Sequence, residues 1–311
     1  MEHYVTLFDS KYLPHGVALY RSMEKWCGEF TLWVVAMDEA TQQVLMKLDL
    51  PDCRVIALAD IETDRMLHVK DGRTAGEYCW TLTPFTPGLV FERDRSAMRV
   101  TYLDADIWFR DSPQRVFDEF EKSGASVLLT EHGYSPENDT SERTGIFCVQ
   151  FMTFNRDESR EIEANWQDLC IDWCFARFED NKFGDQKYLD NWPTKYAELV
   201  HVVSNKEWFQ APWNATRFPY SEAIAFHFSG LQLLTDHSAV LGAYVLNLPL
   251  IQNVYHPYLK SLEESISQIA NLNVEVTPEW IRANSRSRLE NRYRYWRRRL
   301  RLSAGPSYLS V

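Results

Sequence analysis

No apolar run in the 311-residue chain approaches the roughly 18–20 residues that cross a bilayer as a helix. The chain opens with Met1-Glu2-His3-Tyr4 directly on a strand-like run, without the charged-then-apolar pattern of a secretory leader. A cytoplasmic location is therefore expected. Glycine (12) and proline (13) are scarce, which excludes collagen-like and low-complexity chains. No self-similar period marks a repeat solenoid. The six cysteines, Cys27, Cys53, Cys79, Cys148, Cys170 and Cys174, form no C-x-x-C pair. Scattered thiols in a chain of this length fit a reduced compartment better than a disulfide framework. Cys170 and Cys174, on one helix face, read as buried structural thiols rather than a metal pair.

What is present is an ordinary globular composition: 45% hydrophobic, 25% charged, and rich in tryptophan, with 11. The length suits one large domain or two small ones. The formal charge is −11. An acidic chain is a poor nucleic-acid binder, because phosphate neutralisation needs clustered Lys and Arg. The balance is uneven, however. From Arg282 to Arg301 there are nine Arg against the single acid Glu290, a local +8 that leaves −19 elsewhere. Leu289, Tyr293, Trp296 and Leu300 make an apolar stripe at helical spacing within it. An amphipathic helix over 282–302 is expected. It suits peripheral contact with anionic lipid, packing on the domain, or a dimer contact. Residues 303–311 are expected to fray.

Apolar strand-like runs alternate with helical stretches. Strands are expected at 3–8, 30–37, 53–58, 98–103, 126–130 and 146–154. Helices are expected at 14–26, 40–48, 73–85 and 158–178. The second strand, Phe30 to Met37, is nearly all apolar and reads as buried on both faces. This order predicts an α/β fold with a mostly parallel sheet covered by helices. In such sheets ligands bind beyond the carboxyl ends of the strands. Asp9-Ser10-Lys11, Asp38-Glu39, Asp60, Asp104-Ala105-Asp106 and Glu131-His132 fall there. Asp38 and Asp60 read as helix caps.

Asp104-Ala105-Asp106 is the strongest local signal. It follows the apolar Val100-Thr101-Tyr102-Leu103 and precedes Ile107-Trp108-Phe109. Two carboxylates one small residue apart can share a hard cation, and open positions suit Mg2+ or Mn2+ held together with substrate phosphates. The alternative is a helix cap with one solvated Asp. Haloacid-dehalogenase phosphatases also place D-x-D after a strand, but need Thr or Val where this chain has Trp108. Three further fragments accompany the motif: Phe8-Asp9-Ser10-Lys11-Tyr12, Phe183-Gly184-Asp185-Gln186 with Asn191, and Phe226-His227-Phe228-Ser229-Gly230. Singly, His227 also fits a core histidine and Asp185 a helix cap.

In this order, over roughly Tyr4 to Gly230, the fragments resemble the GT-A nucleotide-sugar glycosyltransferases, most closely the glycogenin-like family 8 of retaining enzymes. The chain is also similar to bacterial envelope-polysaccharide transferases with Asp-Ala-Asp, Phe-Gly-Asp-Gln and Ala-Pro-Trp-Asn blocks, the last at Ala211 to Asn214 here. The resemblance implies a GT-A catalytic domain, expected over 1–255, with a helical extension over 256–311. It implies Mn2+ or Mg2+ on Asp104, Asp106 and His227, bridging the donor diphosphate. Asp9 and Tyr12 would contact the base, and Gly230 would lie against the donor. Arg73 would approach the donor phosphates or sugar. Asp185 and Gln186 would sit beneath the sugar, where positive charge develops.

Two departures stand out. The family's Lys after the His-Gly motif is absent from Ser229-Gly230-Leu231-Gln232-Leu233, which leaves Arg73, Lys11 or Lys187 to meet phosphate. The family's Asn-Ser-Gly before the long helix is replaced by Cys148-Val149-Gln150. The expected activity is metal-dependent transfer of a sugar, with retention, from a nucleoside-diphosphate donor to an envelope glycan or lipid-linked saccharide. A non-catalytic nucleotide- or glycan-binding domain is the rival from outside the enzymes. A sugar nucleotidyltransferase is the rival within them, and lacks its Gly-rich phosphate loop here.

Overall fold

The computed structural model describes residues 1–234 and 239–272, with the backbone alone of Ser238 and Tyr308–Ser310. The basic helix expected over 282–302 lies outside the described residues. The elements run β1 (Glu2–Phe8), α1 (Leu13–Trp26), β2 (Phe30–Ala36), α2 (Glu39–Leu48), β3 (Cys53–Ala57), α3 (Asp64–Lys70), α4 (Ala75–Leu82), α5 (Thr86–Arg93) and β4 (Arg99–Leu103). They continue with β5 (Ile107–Phe109), α6 (Gln114–Ser123), β6 (Val127–Glu131), α7 (Ser141–Thr144), β7 (Phe147–Asn155), α8 (Arg160–Asp172), α9 (Trp192–Lys195) and β8 (Val200–Val202). The last are β9 (Phe209–Gln210), β10 (Ala225–His227), β11 (Gln232–Leu233), β12 (Ser238–Val240), α10 (Leu248–Leu250), α11 (His256–Ala270) and β13 (Tyr308–Ser310).

Seven strands form the central sheet in the order β3-β2-β1-β4-β7-β6-β8. It is parallel except at β7, which runs antiparallel to both β4 and β6. The mostly parallel expectation holds, with one reversed strand. Alternation along each strand feeds two cores, as a two-residue period requires. Tyr4, Leu32, Val34, Leu128 and Phe151 point to one side, against Leu13 and Val17 of α1 and Phe117 of α6. Val5, Leu7, Val35, Val100 and Met152 point to the other, against Tyr78, Val90 and Trp166 of α4, α5 and α8. All seven residues of β2 are buried, as a strand covered on both faces demands.

Small sheets finish the fold. β10 lies between β5, antiparallel, and β9, parallel. β12 pairs with β11 and, in backbone, with β13. Residues 308–310 thus pair as a strand where a frayed end was expected. The expected division after residue 255 falls inside one helical run. α10, a π-type turn over Ile251–Tyr255 and α11 follow without a break. Val254, Tyr255, Tyr258 and Leu262 of this run are buried with Ala18, Phe226 and Phe228. The described part of the extension, 256–272, therefore packs with residues of the sheet domain.

α8 ends at Asp172, six residues short of the expected helix. Trp173 is extended (φ −155°, ψ 121°). A helix leaves its last carbonyls without intrahelical partners, and Arg73 Nη2 donates to one of them, Ile171 O, at 2.6 Å. The chain beyond then runs along α4, where Ala176 N donates to Glu77 Oε1 at 2.8 Å. Cys174 accordingly lies past the helix. Both Cys170 and Cys174 are buried free thiols. No helix among the described residues is long and apolar enough to cross a membrane.

Candidate active site

A cleft of about 560 Å³ opens beyond the carboxyl ends of β1 and β4. Asp9 and Tyr12 enter it from the β1–α1 turn, where Tyr12 N donates to Asp9 O at 3.0 Å. Burial raises the Asp9 carboxyl above its ordinary range. Asp38, at the end of β2, caps α2 instead, accepting from Thr41 N at 2.7 Å. Its other oxygen accepts from Ser10 N at 2.9 Å, bracing the turn that carries Asp9. Gly16 lets α1 lie directly on the Phe8 ring, since a Cβ there would sit 2.3 Å from a ring carbon.

Asp104 and Asp106 occupy the turn from β4 into β5, closed by Ile107 N donating to Asp104 O at 3.2 Å. His227 is far away in sequence, but its β10 position pairs with Ile107. Phe228 N also donates to Asp106 O at 2.9 Å. This short antiparallel pairing brings the two motifs together. His227 Nε2 lies 3.1 Å from Asp106 Oδ1 and 3.7 Å from Asp104 Oδ2. One ligand atom from each of the three lies within 4.8 Å of the others. His227 Nδ1 meets Gln150 Oε1 at 2.9 Å. When Nδ1–H donates to that amide oxygen, Nε2 is left as a lone pair facing both carboxylates, the tautomer that binds a cation. Two carboxylates with an imidazole so held fit a divalent ion with positions left for phosphate oxygens.

Without that ion the three groups compensate one another. Burial opposes charge on His227, but Asp106, through its charge and hydrogen bond, raises the imidazole well above its ordinary value. Burial likewise opposes charge on Asp106, yet His227 holds its carboxyl below the usual range. Asp104 is raised, mainly by burial. Tyr102 OH donates to Asp104 Oδ1 at 2.9 Å and fixes that side chain.

Asp185 and Gln186 line the same cleft, brought in by Gly184, whose φ of +52° and contact with Trp80 suit only a residue without Cβ. Asp185 caps no helix. Burial, with the charge of Asp104, raises its carboxyl well above the ordinary range. Gln186 Nε2 donates to Thr144 O. Gly230, at φ +79°, also lines the cleft.

Two expected cations are placed elsewhere. Arg73 is outside the lining and donates to Thr81 Oγ1 and Ile171 O, where it packs over Phe175. Its position follows from Thr74, which starts α4 with a capping box closed by Glu77 and so leaves Arg73 before the helix. Lys187 is engaged with Asp190 Oδ2 at 2.7 Å and Ser141 O at 3.1 Å. Among the described residues, four aspartates and one lysine, Lys11, line the cleft. Such a lining repels a diphosphate unless a bound cation offsets it.

Sequence reasoning did not single out an aromatic wall on the His227 side. It consists of His132, Tyr134, Trp213 and Tyr244. The Trp213 ring stands edge-on to His227, centroids 5.3 Å apart at 88°. Trp213 sits in the Ala211–Asn214 block, and His132 follows a strand end. Both were visible, but not their convergence.

No protein-family model matches the chain. Two uncharacterized proteins of Bacillus subtilis (strain 168) are similar over most of their length. YfnD is 28% identical over 284 residues, covering 86% of this chain and 90% of its own. YfnF is 26% identical over 277 residues, covering 82% and 91%. Among solved structures, galactosyltransferase LgtC with donor and acceptor sugar analogues matches at TM-score 0.51 and 14% identity, covering 89% of this chain and 98% of that one. The glycosyltransferase GlyE of Streptococcus pneumoniae TIGR4 matches at 0.50 and 13%, covering 85% and 63%. The chain has the GT-A fold of these glycosyltransferases.

Proposed function

We propose that the chain is a divalent-metal-dependent glycosyltransferase, moving a sugar from a nucleoside-diphosphate donor to a saccharide acceptor. The observation that carries this is the meeting of Asp104, Asp106 and His227 in the cleft of a GT-A fold. Asp104, Asp106 and His227 would hold Mn2+ or Mg2+, which when bound supplies positive charge against the leaving diphosphate. Gln150 orients His227, and Tyr102 orients Asp104. Asp9 and Tyr12 would receive the base, with Tyr12 offering a stacking face. Gly230 would allow close approach of the donor. Asp185 and Gln186 would flank the sugar, Gln186 held by its bond to Thr144. Retention of configuration, and an envelope glycan or lipid-linked saccharide as acceptor, follow the motif resemblance. The acceptor would bring the chain to the inner face of the membrane, with 282–302 as the segment suited to that contact.

Release of free nucleoside diphosphate from a panel of nucleotide sugars, with Mn2+, Mg2+ or chelator, tests the reading. Metal-dependent release from one donor is expected. Nucleotide binding without release from any donor would favour the non-catalytic alternative.

A further inference from the structure

We propose that the aromatic wall beside His227 is a subsite for a pyranose ring of the acceptor, with the half-buried Tyr134 and Tyr244 offering ring surface to it and the buried Trp213 backing them. The proposal rests on the glycosyltransferase reading and adds the chemical class of acceptor group and the residues that select it.

The wall is assembled from separate segments, and the polar tips of Trp213, Tyr134 and His132 are engaged. Trp213 Nε1 donates to His132 O at 2.9 Å. Tyr134 OH meets Thr144 Oγ1 at 2.8 Å. His132 Nδ1 meets Ile146 O at 3.2 Å. Asn214 locks the turn that carries Trp213, donating to His132 O at 2.8 Å and accepting from Ala211 N at 2.9 Å. With those tips engaged, what these three residues leave for a ligand is ring surface. His132 stacks on Tyr134 with centroids 4.7 Å apart at 10°, covering one face and leaving the other. Tyr244 stands 6.4 Å from Trp213 at 67°, half-buried, so the two rings make a corner rather than a slot.

The wall residues include no acid, lysine or arginine. An anion finds no counter-charge there, and a metal finds no carboxylate. The surrounding rim carries hydroxyl side chains at Thr140, Thr144 and Ser229, of which the two threonines bond each other. Fixed aromatic faces with a hydroxyl rim match a neutral ring that has apolar C–H faces and a polar edge. A pyranose is such a ring. A nucleobase also stacks, but Tyr12 supplies a face for it on the Asp104–Asp106 side, where those charges act directly on the phenol. The edge contact of Trp213 with His227 places the wall beside the cation-binding cluster. A sugar on the wall therefore lies next to the group being transferred.

The test is calorimetric titration of maltose, lactose and methyl α-mannoside into protein saturated with Mn2+ and whichever of UDP, GDP or CDP it binds. Wild type, Tyr134→Ala, Tyr244→Ala and Tyr244→Phe are compared, with thermal melts to check folding. At least one sugar is expected to bind the wild type. Each alanine variant should weaken that sugar about tenfold or more, as loss of a central aromatic contact does. Tyr244→Phe, which keeps the face, should stay within about threefold of wild type. Equal sugar affinity in wild type and alanine variants would overturn the proposal. So would a protein that binds nucleotide but none of the three sugars. A fall in nucleotide rather than sugar affinity would reassign the wall to the base. Failure to bind any nucleoside diphosphate would instead strike the functional reading itself, and the proposal with it.

Discussion

Gln150 shows how much one side chain outside the metal-ligand set decides. Its Oε1 at 2.9 Å from His227 Nδ1 sets which imidazole nitrogen faces the carboxylates. Loss of such a partner typically costs about 10–100-fold in metal affinity. Gln150→Ala should raise the Mn2+ concentration for half-saturation by that order, as read by electron paramagnetic resonance. Glu163 is a second decisive residue, far from the cleft. It is 4% exposed, and burial raises its carboxyl to about 7. An unfolded carboxyl ionises near 4.5. Between those values the folded chain holds the extra proton, so stability falls as pH rises from about 5 to above 7. Glu163→Gln keeps an acceptor for Ser159 and removes this dependence. Urea unfolding should find the variant more stable at pH 8, by on the order of 3 kcal/mol, and equal to wild type at about pH 4.

Elements explain both what sequence made legible and where it stopped. The strand-helix order from β1 to β3 was readable because β2 is nearly all apolar and turn residues separate the runs, whereas three helices, α3, α4 and α5, stand between β3 and β4 where one was expected over 73–85. Asp104 and Asp106 were readable as a candidate cation pair after an apolar strand, and His227 joined them through the motif resemblance, since singly it also fits a core histidine. Their meeting depends on the β5–β10 pairing, three residues against three, which no local pattern announces. Arg73 was misplaced for a local reason. Thr74-Ala75-Gly76-Glu77 is a capping-box signal, and reading it would have excluded Arg73 from the helix. Its bonds to Thr81 and Ile171 join α4 to the end of α8. Arg73→Met should therefore lower the melting temperature and leave nucleotide affinity within about threefold, since no lost phosphate contact is involved. The α1–β1 contact is equally local. Gly16→Ala pushes a methyl into the Phe8 ring and should destabilise by about 1–3 kcal/mol in denaturant unfolding.

At the scale of the molecule, charge organises the account. Four aspartates and one lysine line a cleft expected to take a diphosphate. Of the three cations that sequence offered for this task, Arg73 and Lys187 are committed to structural bonds and Lys11 lines the cleft. A metal ion on the acidic cluster would resolve the imbalance, and would make nucleotide and cation binding mutually dependent. The aromatic wall was illegible because its members come from three distant segments and carry no shared period.

The most direct test of the central claim is Mn2+ affinity in the presence and absence of a nucleoside diphosphate, for wild type and Asp106→Asn. The substitution preserves shape and removes one negative charge. The account predicts that nucleotide tightens Mn2+ binding to the wild type, and that Asp106→Asn, folded as judged by its melt, loses at least about tenfold in Mn2+ affinity. Undiminished Mn2+ affinity in Asp106→Asn, with nucleotide binding indifferent to the metal, would contradict it.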